Sequence, residues 1–164
     1  MSGPALKQLD AHHAIHEAAF HEAQEMTVLF HHLVEKGDSE RAVALAEAIL
    51  DHWKTRTLRH AADEEIGFYQ ECREAMPHRA EEIAQLIRDH DLMRNLVAEL
   101  EQLLSHTFDS RAISFRLDAL LWVNEIHSRD EERCLLDGQA LRTNDVKQTL
   151  EESEPLERQL QQPV

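Results

Sequence analysis

Two histidine–glutamate pairs at helical spacing, His60/Glu64 and His127/Glu131, are the residues of this chain best placed to do chemistry. In a helix, residues i and i+4 stand one above the other on the same face. His60 and Glu64 continue a largely apolar row that reads Leu50, Trp53, Thr57, then Phe68. His127 and Glu131 continue another that reads Ile113, Leu117, Leu120, Asn124, then Leu135. An ionised carboxylate on a core-facing stripe is costly unless it is paired or coordinates a metal. Two such pairs on two different helices point to a metal site inside a helical bundle.

Two further stripes carry histidine. One reads Ile83, Leu86, His90, Met93, Val97, Leu100, Leu104, with His90 its only ionisable member. The other reads Leu9, His12, His16, Ala19, Ala23, Met26, Phe30. Antiparallel neighbours place residues equidistant from a connection side by side, which sets their axial levels. About a connection near residue 108, His90 lies opposite position 126, next to His127. About one near residue 77, Glu64 lies opposite position 90, and about one near 37–38, His60 and Glu64 lie opposite positions 15 and 11. The candidates His12, His16, His60, Glu64, His90, His127 and Glu131 therefore fall in one layer.

Spacing alone would not have singled them out. The chain has 12 histidines, and the same spacing recurs at His13/Glu17, His21/Glu25, His31/Glu35 and His78/Glu82, all expected on or near solvated faces. His21, His31, His32, His52, His78 and His106 are read as surface, capping or structural residues. In the first helix a slightly rotated stripe, Leu6, Leu9, His13, His16, Phe20, admits His13 in place of His12, and the pattern leaves that choice open.

The elements that must position these residues are helices. Only four glycines and four prolines interrupt 164 residues, and aromatics make up 5 %. Breaks at Gly37-Asp38-Ser39, Met76-Pro77, the segment 106–110 and Gly138 leave helices over about 5–36, 39–75, 78–105 and 110–139. Short connections make consecutive helices antiparallel neighbours, so the expected fold is all-α, an up-down-up-down four-helix bundle over residues 1–140. The second helix is long for that architecture, and a kink is expected near His52 or Gly67. Residues 141–164 are polar and lack a continuous apolar stripe, which predicts a short helix around 145–152 in an otherwise mobile tail.

Composition excludes several classes of function. With 17 Lys and Arg against 32 Asp and Glu, the formal net charge is −15, which repels phosphate backbones and argues against nucleic acid as a partner. There is neither a basic amphipathic stretch for a membrane surface nor a run of about 18 apolar residues to cross one. The first residues, MSGPALKQLDAHH, have no apolar run of the signal-peptide kind, so a soluble cytoplasmic protein is expected. Cys72 and Cys134 are too few and too far apart for a zinc motif or a disulfide framework, and are expected to be reduced, half-buried packing residues.

Four or five histidines and two glutamates are too many donors for one tetrahedral zinc. They suit two cations, with the carboxylates bridging. The layer holds no thiolate, which argues against copper(I) or iron–sulfur chemistry. The sequence also has no Glu-x-x-His, the pair that ferritin-type bundles supply.

The chain resembles the hemerythrin-like family, the HHE cation-binding domains, over nearly all of residues 5–139. The resemblance rests on Leu9-Asp10-Ala11-His12-His13-Ala14-Ile15, His60-Ala61-Ala62-Asp63-Glu64-Glu65-Ile66-Gly67-Phe68-Tyr69, Asp89-His90-Asp91-Leu92-Met93-Arg94 and His127-Ser128-Arg129-Asp130-Glu131-Glu132, one on each helix. It implies a non-haem centre of two iron ions with an oxo or hydroxo bridge, although manganese and zinc take the same ligands. His60, Glu64, His127 and Glu131 match the family's paired ligands and His90 its third-helix histidine, while one or more of His12, His13 and His16 supply the first. The implied ligand is O2, NO or peroxide at an open position. The family's oxygen carriers have two histidines four apart on the third helix, whereas Arg94 follows His90 here. A second histidine must come from elsewhere, and the pair His12/His16 offers it.

Two other functions compete with simple binding. One is an oxidoreductase acting on peroxide or O2 at the same site, with Tyr69 or Trp122 as a redox-active side chain if these aromatics do more than pack. The other is a metal-free interaction module, in which Arg94 or Arg116 would have to neutralise Glu64 or Glu131.

Overall fold

The computed structural model describes residues 9–106 and 108–136, and among them every regular element is helical. The first helix, α1 (Leu9–Glu35), ends where Gly37 adopts φ 71°, a left-handed conformation that costs glycine little. The Gly37 N–H donates to the Val34 carbonyl and the Asp38 N–H to the Leu33 carbonyl, each at 3.0 Å, closing the helix with the paired bonds of a Schellman motif. Asp38 then caps the next helix by accepting the Arg41 N–H at 3.3 Å.

That second helix, α2, runs without a break over residues 39–75 but is not uniform. The α-helical stretches Ser39–His52, Leu58–Asp63 and Tyr69–Ala75 are joined by π-helical turns at Trp53–Thr57 and Glu64–Phe68. These turns lie beside the two positions where the sequence predicts a kink, and they have a geometric role. The 20 residues from Ile49 to Tyr69, both fully buried, would span about 5.6 turns of ideal α-helix and so face nearly opposite sides. Each π turn takes up one extra residue, and the remaining 18 make about 5 turns, which returns Tyr69 to the face of Ile49.

A 3-10 turn, Pro77–Arg79, leads into α3 (Ala80–His106). Asp109 caps the fourth helix by accepting the Ala112 N–H at 3.0 Å. The fourth helix, α4, covers residues 110–136, of which Ser110–Glu131 is α-helical and Glu132–Leu136 is a third π turn. The predicted helix starts at residues 5–8, the end at 137–139 and the tail 141–164 lie outside the described residues. In place of the predicted start of the third helix at 78 there is the 3-10 turn, because Pro77 and the extended Met76 force a tight corner.

Among the described residues α1 packs on α2 and α4, and α3 on α2 and α4, an arrangement compatible with a helical bundle. The α4 stripe is buried at every predicted position, Ile113, Leu117, Leu120, Asn124, His127, Glu131 and Leu135. The core divides into two apolar clusters. One contains Phe30, Ile49, Trp53, Met93, Leu100 and Leu117, and the other Phe68, Tyr69, Ile83, Leu86, Cys134 and Leu135. Each large side chain fully buried here contributes roughly 1.5–3 kcal/mol. Between the clusters lies a polar layer, and the apolar burial on both sides offsets the cost of desolvating it.

Cys72 is 1 % exposed and Cys134 9 %, so both side chains are buried rather than half-buried. Trp122, expected to pack if it was not redox-active, is instead 65 % exposed. It precedes His127 by five residues, about 140° round the helix from the stripe. No described helix is long and apolar enough to cross a membrane.

Candidate metal centre

Histidine and glutamate side chains from all four helices meet in the polar layer. His12, His16, His60 and Glu64 offer ligand atoms that all lie within 4.8 Å of one another, and so do Glu64, His90 and His127. Glu64 belongs to both groups. Its Oε1 lies 2.8 Å from His60 Nε2, 3.3 Å from His12 Nε2 and 3.4 Å from His16 Nε2. Its Oε2 turns the other way and lies 3.4 Å from His90 Nε2. Glu131 approaches the first group, with Oε2 2.7 Å from His12 Nε2 and 3.6 Å from His16 Nε2.

The imidazoles converge in a consistent way. His16 and His60 point Nε2 at Nε2 across 3.0 Å, and His90 and His127 do the same across 3.0 Å. Two ligands at right angles round one octahedral cation, each about 2.1 Å from it, are separated by about 3.0 Å. The closest pairs therefore have the spacing of neighbouring ligands on a shared ion. Proton sharing can satisfy part of the network, since each neutral imidazole donates from one nitrogen and accepts at the other. Even so, Glu131 Oε1, His12 Nδ1, His16 Nδ1 and His127 Nδ1 are buried with no hydrogen-bond partner among the described residues. Buried polar atoms are rarely left so, and the donor set fits cations better than it fits itself. This buried cluster could hold metal.

The electrostatics agree. Burial alone would raise the Glu64 pKa, but the imidazoles of His16, His60 and His90 gathered round it hold it well below the usual carboxylate range, so Glu64 is an anion at neutral pH. Burial would lower the pKa of His12, yet the Glu131 hydrogen bond and the charges of Glu131 and Glu64 leave it raised. His127 is also raised against the effect of burial, by Asp89, Glu131 and Glu64. His16 is lowered because burial dominates there. Burial pushes the Tyr69 hydroxyl well above its ordinary value, with Glu131 and Glu64 adding to the effect.

A second tier of residues orients the first. His90 donates from Nδ1 to Glu65 Oε1 at 2.7 Å, which presents Nε2 to the centre. Arg94 Nη2 in turn holds that Glu65 oxygen at 2.7 Å and Arg94 Nη1 holds Asp91 at 3.0 Å. The residue four after His90 is thus an orienting residue, two steps removed from the centre. Asp89 lies 3.7 Å from His127 Nδ1, too long for a hydrogen bond but close enough to favour its charge. The sequence reading missed Glu65 and Asp89 because neither sits on a stripe. Each is adjacent in sequence to a candidate ligand, and that was the available signal.

All seven predicted residues are brought together. The alternative His13 is not, being 57 % exposed and paired with Glu132 at 3.0 Å. His52, by contrast, is a structural histidine, buried and donating from Nε2 to the Ala19 carbonyl at 3.0 Å. Neither arginine proposed to neutralise the core carboxylates does so, since Arg94 engages Glu65 and Arg116 engages Glu99 at 3.0 Å. A cavity of about 360 Å³ runs from the surface between α1 and α2 down to His16, His60, Glu64, His90 and His127. Comparison with protein-family models, with curated proteins and with solved structures finds no match to this chain.

Proposed function

We propose that this chain is a non-haem di-iron protein of the hemerythrin-like kind, with its four helices running up-down-up-down, that binds O2 or a related small molecule such as NO or peroxide. The observation that carries the reading is the sharing of Glu64 between two groups of imidazoles, one oxygen turned to each. In this reading His12, His16 and His60 would hold one ion and His90 and His127 the other, and Glu64 and Glu131 would be the carboxylates between them. Bound iron would supply one-electron chemistry and affinity for diatomic ligands.

The protein's own side chains do the rest. The cavity is lined by histidines of both groups, His16 and His60 as well as His90 and His127, so a small molecule entering it would reach either ion. Glu65 fixes the tautomer of His90 and keeps its Nε2 turned inward. The apolar clusters close the layer on two sides and leave the cavity as its approach from the surface.

A second reading, an oxidoreductase acting on peroxide or O2, is favoured by one observation. The cavity opens the site to the surface, and Tyr69 stacks on His90 with ring centroids 5.7 Å apart and planes 8° apart. To separate the two, the iron-loaded, reduced chain would be exposed in turn to O2, NO and peroxide while visible absorption and peroxide concentration are followed. Absorption that appears with O2 and disappears when O2 is removed supports reversible binding. Sustained peroxide consumption supports the enzyme. Iron-loaded protein that responds to none of the three would refute both.

A further inference from the structure

We infer that the cavity between α1 and α2 is a binding site for a small, uncharged organic molecule with an apolar body and one hydroxyl or amide group, of the size and kind of phenol. Its position against the metal centre rests on the reading above, whereas its capacity to bind does not. The first argument is volume. At about 360 Å³ the cavity is an order of magnitude larger than a diatomic ligand requires, a water occupying about 30 Å³ in the liquid. An apolar cavity of about 150 Å³ already accommodates benzene, and pockets for organic ligands begin near 300 Å³.

The void has a definite cause. α1 lines the cavity with Ala19, about one turn after His16, and α2 with Ala61, next to His60, whereas one turn before Thr57 the interior is filled by the fully buried Trp53. These alanines, with Ile15 and Met93, give the cavity largely apolar walls.

The second argument is a pair of polar groups in those walls. Asn124 is only 5 % exposed and makes no hydrogen bond with any described residue, although an amide offers both donors and acceptors. Thr57 also lines the cavity, and its buried hydroxyl has no hydrogen-bond partner among the described residues. Helical threonines elsewhere in the chain bond back one turn, Thr27 to the Ala23 carbonyl and Thr55 to the Asp51 carbonyl, each at 2.8 Å. Thr57 does not, and the Trp53 carbonyl one turn before it instead receives the Leu58 N–H of the π turn.

Charge selects against ions. Apolar walls penalise an unpaired charge, and the rim carries both Arg56 and Glu22, which favours neither sign.

The test is calorimetric titration of the purified full-length chain with phenol and, separately, with toluene, which has the same size but no hydroxyl. Metal content is measured on the same samples, and the titrations are repeated after metal is stripped by chelation. Saturable binding of both probes is expected. Ala19→Leu, which fills the void, should weaken both more than tenfold. Asn124→Leu should weaken phenol about tenfold and leave toluene unchanged or tighter. Circular dichroism of each variant verifies that it is folded. If Ala19→Leu does not fold, the opposite responses of the two probes to Asn124→Leu still decide the matter.

No saturable binding of either probe to the native chain, or binding indifferent to both substitutions, would overturn the inference. A chain that holds two metals but no phenol refutes the organic site and leaves the metal centre standing. One that binds phenol through Asn124 but holds no metal does the reverse.

Discussion

Glu64→Gln is the substitution that probes the proposed centre most sharply. It keeps the size of the side chain and removes the charge. Because Glu64 Oε1 faces His12, His16 and His60 while Oε2 faces His90, one substitution takes the shared anionic ligand from both ions and leaves only a neutral amide in its place. Losing a residue that merely orients a ligand costs about 10–100-fold in metal affinity. Losing the ligand itself should cost at least about 100-fold for each ion, about 2.7 kcal/mol apiece. His90→Ala should weaken only the ion served by His90 and His127, and His16→Ala only the other. The assay is anaerobic equilibrium dialysis against ferrous iron, with elemental analysis giving ions per chain at each free concentration. Wild-type chain should show two sites, Glu64→Gln should shift both, and each histidine variant should shift one. A Glu64→Gln chain that fills two sites at wild-type concentrations, or loses one with the other untouched, would refute the sharing of Glu64.

Three further outcomes follow from the same geometry. Glu65→Gln, which weakens the hold on His90 Nδ1, should lower the affinity of the second ion about 10–100-fold and spare the first, as separate constants in the dialysis would reveal. Removing metal should lower the melting temperature by on the order of 10–20 °C, because two ions held at 100 times their Kd add about 5 kcal/mol; an unchanged melting curve in chelator would contradict this. That difference should widen from pH 6 to pH 8. His12 and His127 have raised pKa values in the folded metal-free chain, so their stabilisation is complete below the ordinary 6.5 and is lost as pH rises through the folded values. His16, with its lowered value, acts in the opposite sense below 6.5, and Glu64 stabilises above the ordinary 4.5 and fails only as pH falls through its depressed value. Metal binding displaces the protons on His12 and His127, so affinity climbs as the metal-free form weakens. A gap that narrows toward pH 8 in differential scanning calorimetry would contradict the assignment.

Much of this arrangement was legible in the sequence because helical periodicity reports on one face at a time. The α4 stripe placed Asn124, His127 and Glu131 in the core, and reflection about the three connections put His12, His16, His60, Glu64 and His90 at their level. The choice between His12 and His13 was not legible, since adjacent residues differ by about 100° and the row tolerated either rotation. The length of the second helix pointed to a break near His52 or Gly67, but the form it takes, a π turn at each place, leaves no mark in a single sequence. Glu65 and Asp89 act from beside their stripes, where a charged residue looks like any solvated one. The cavity depends on the volumes of Ala19 and Ala61 against facing side chains, and those facings exist only once the helices are packed.

The central claim is that the polar layer holds two iron ions. The most direct measurement is the metal content of the untagged, aerobically purified chain, taken with its visible spectrum before and after reduction and re-exposure to O2. Two irons per chain, with absorption that is lost on reduction and restored by O2, are predicted. A chain without metal, and with a stability indifferent to chelator, would mean that the histidines and glutamates of the layer only hold the helices together.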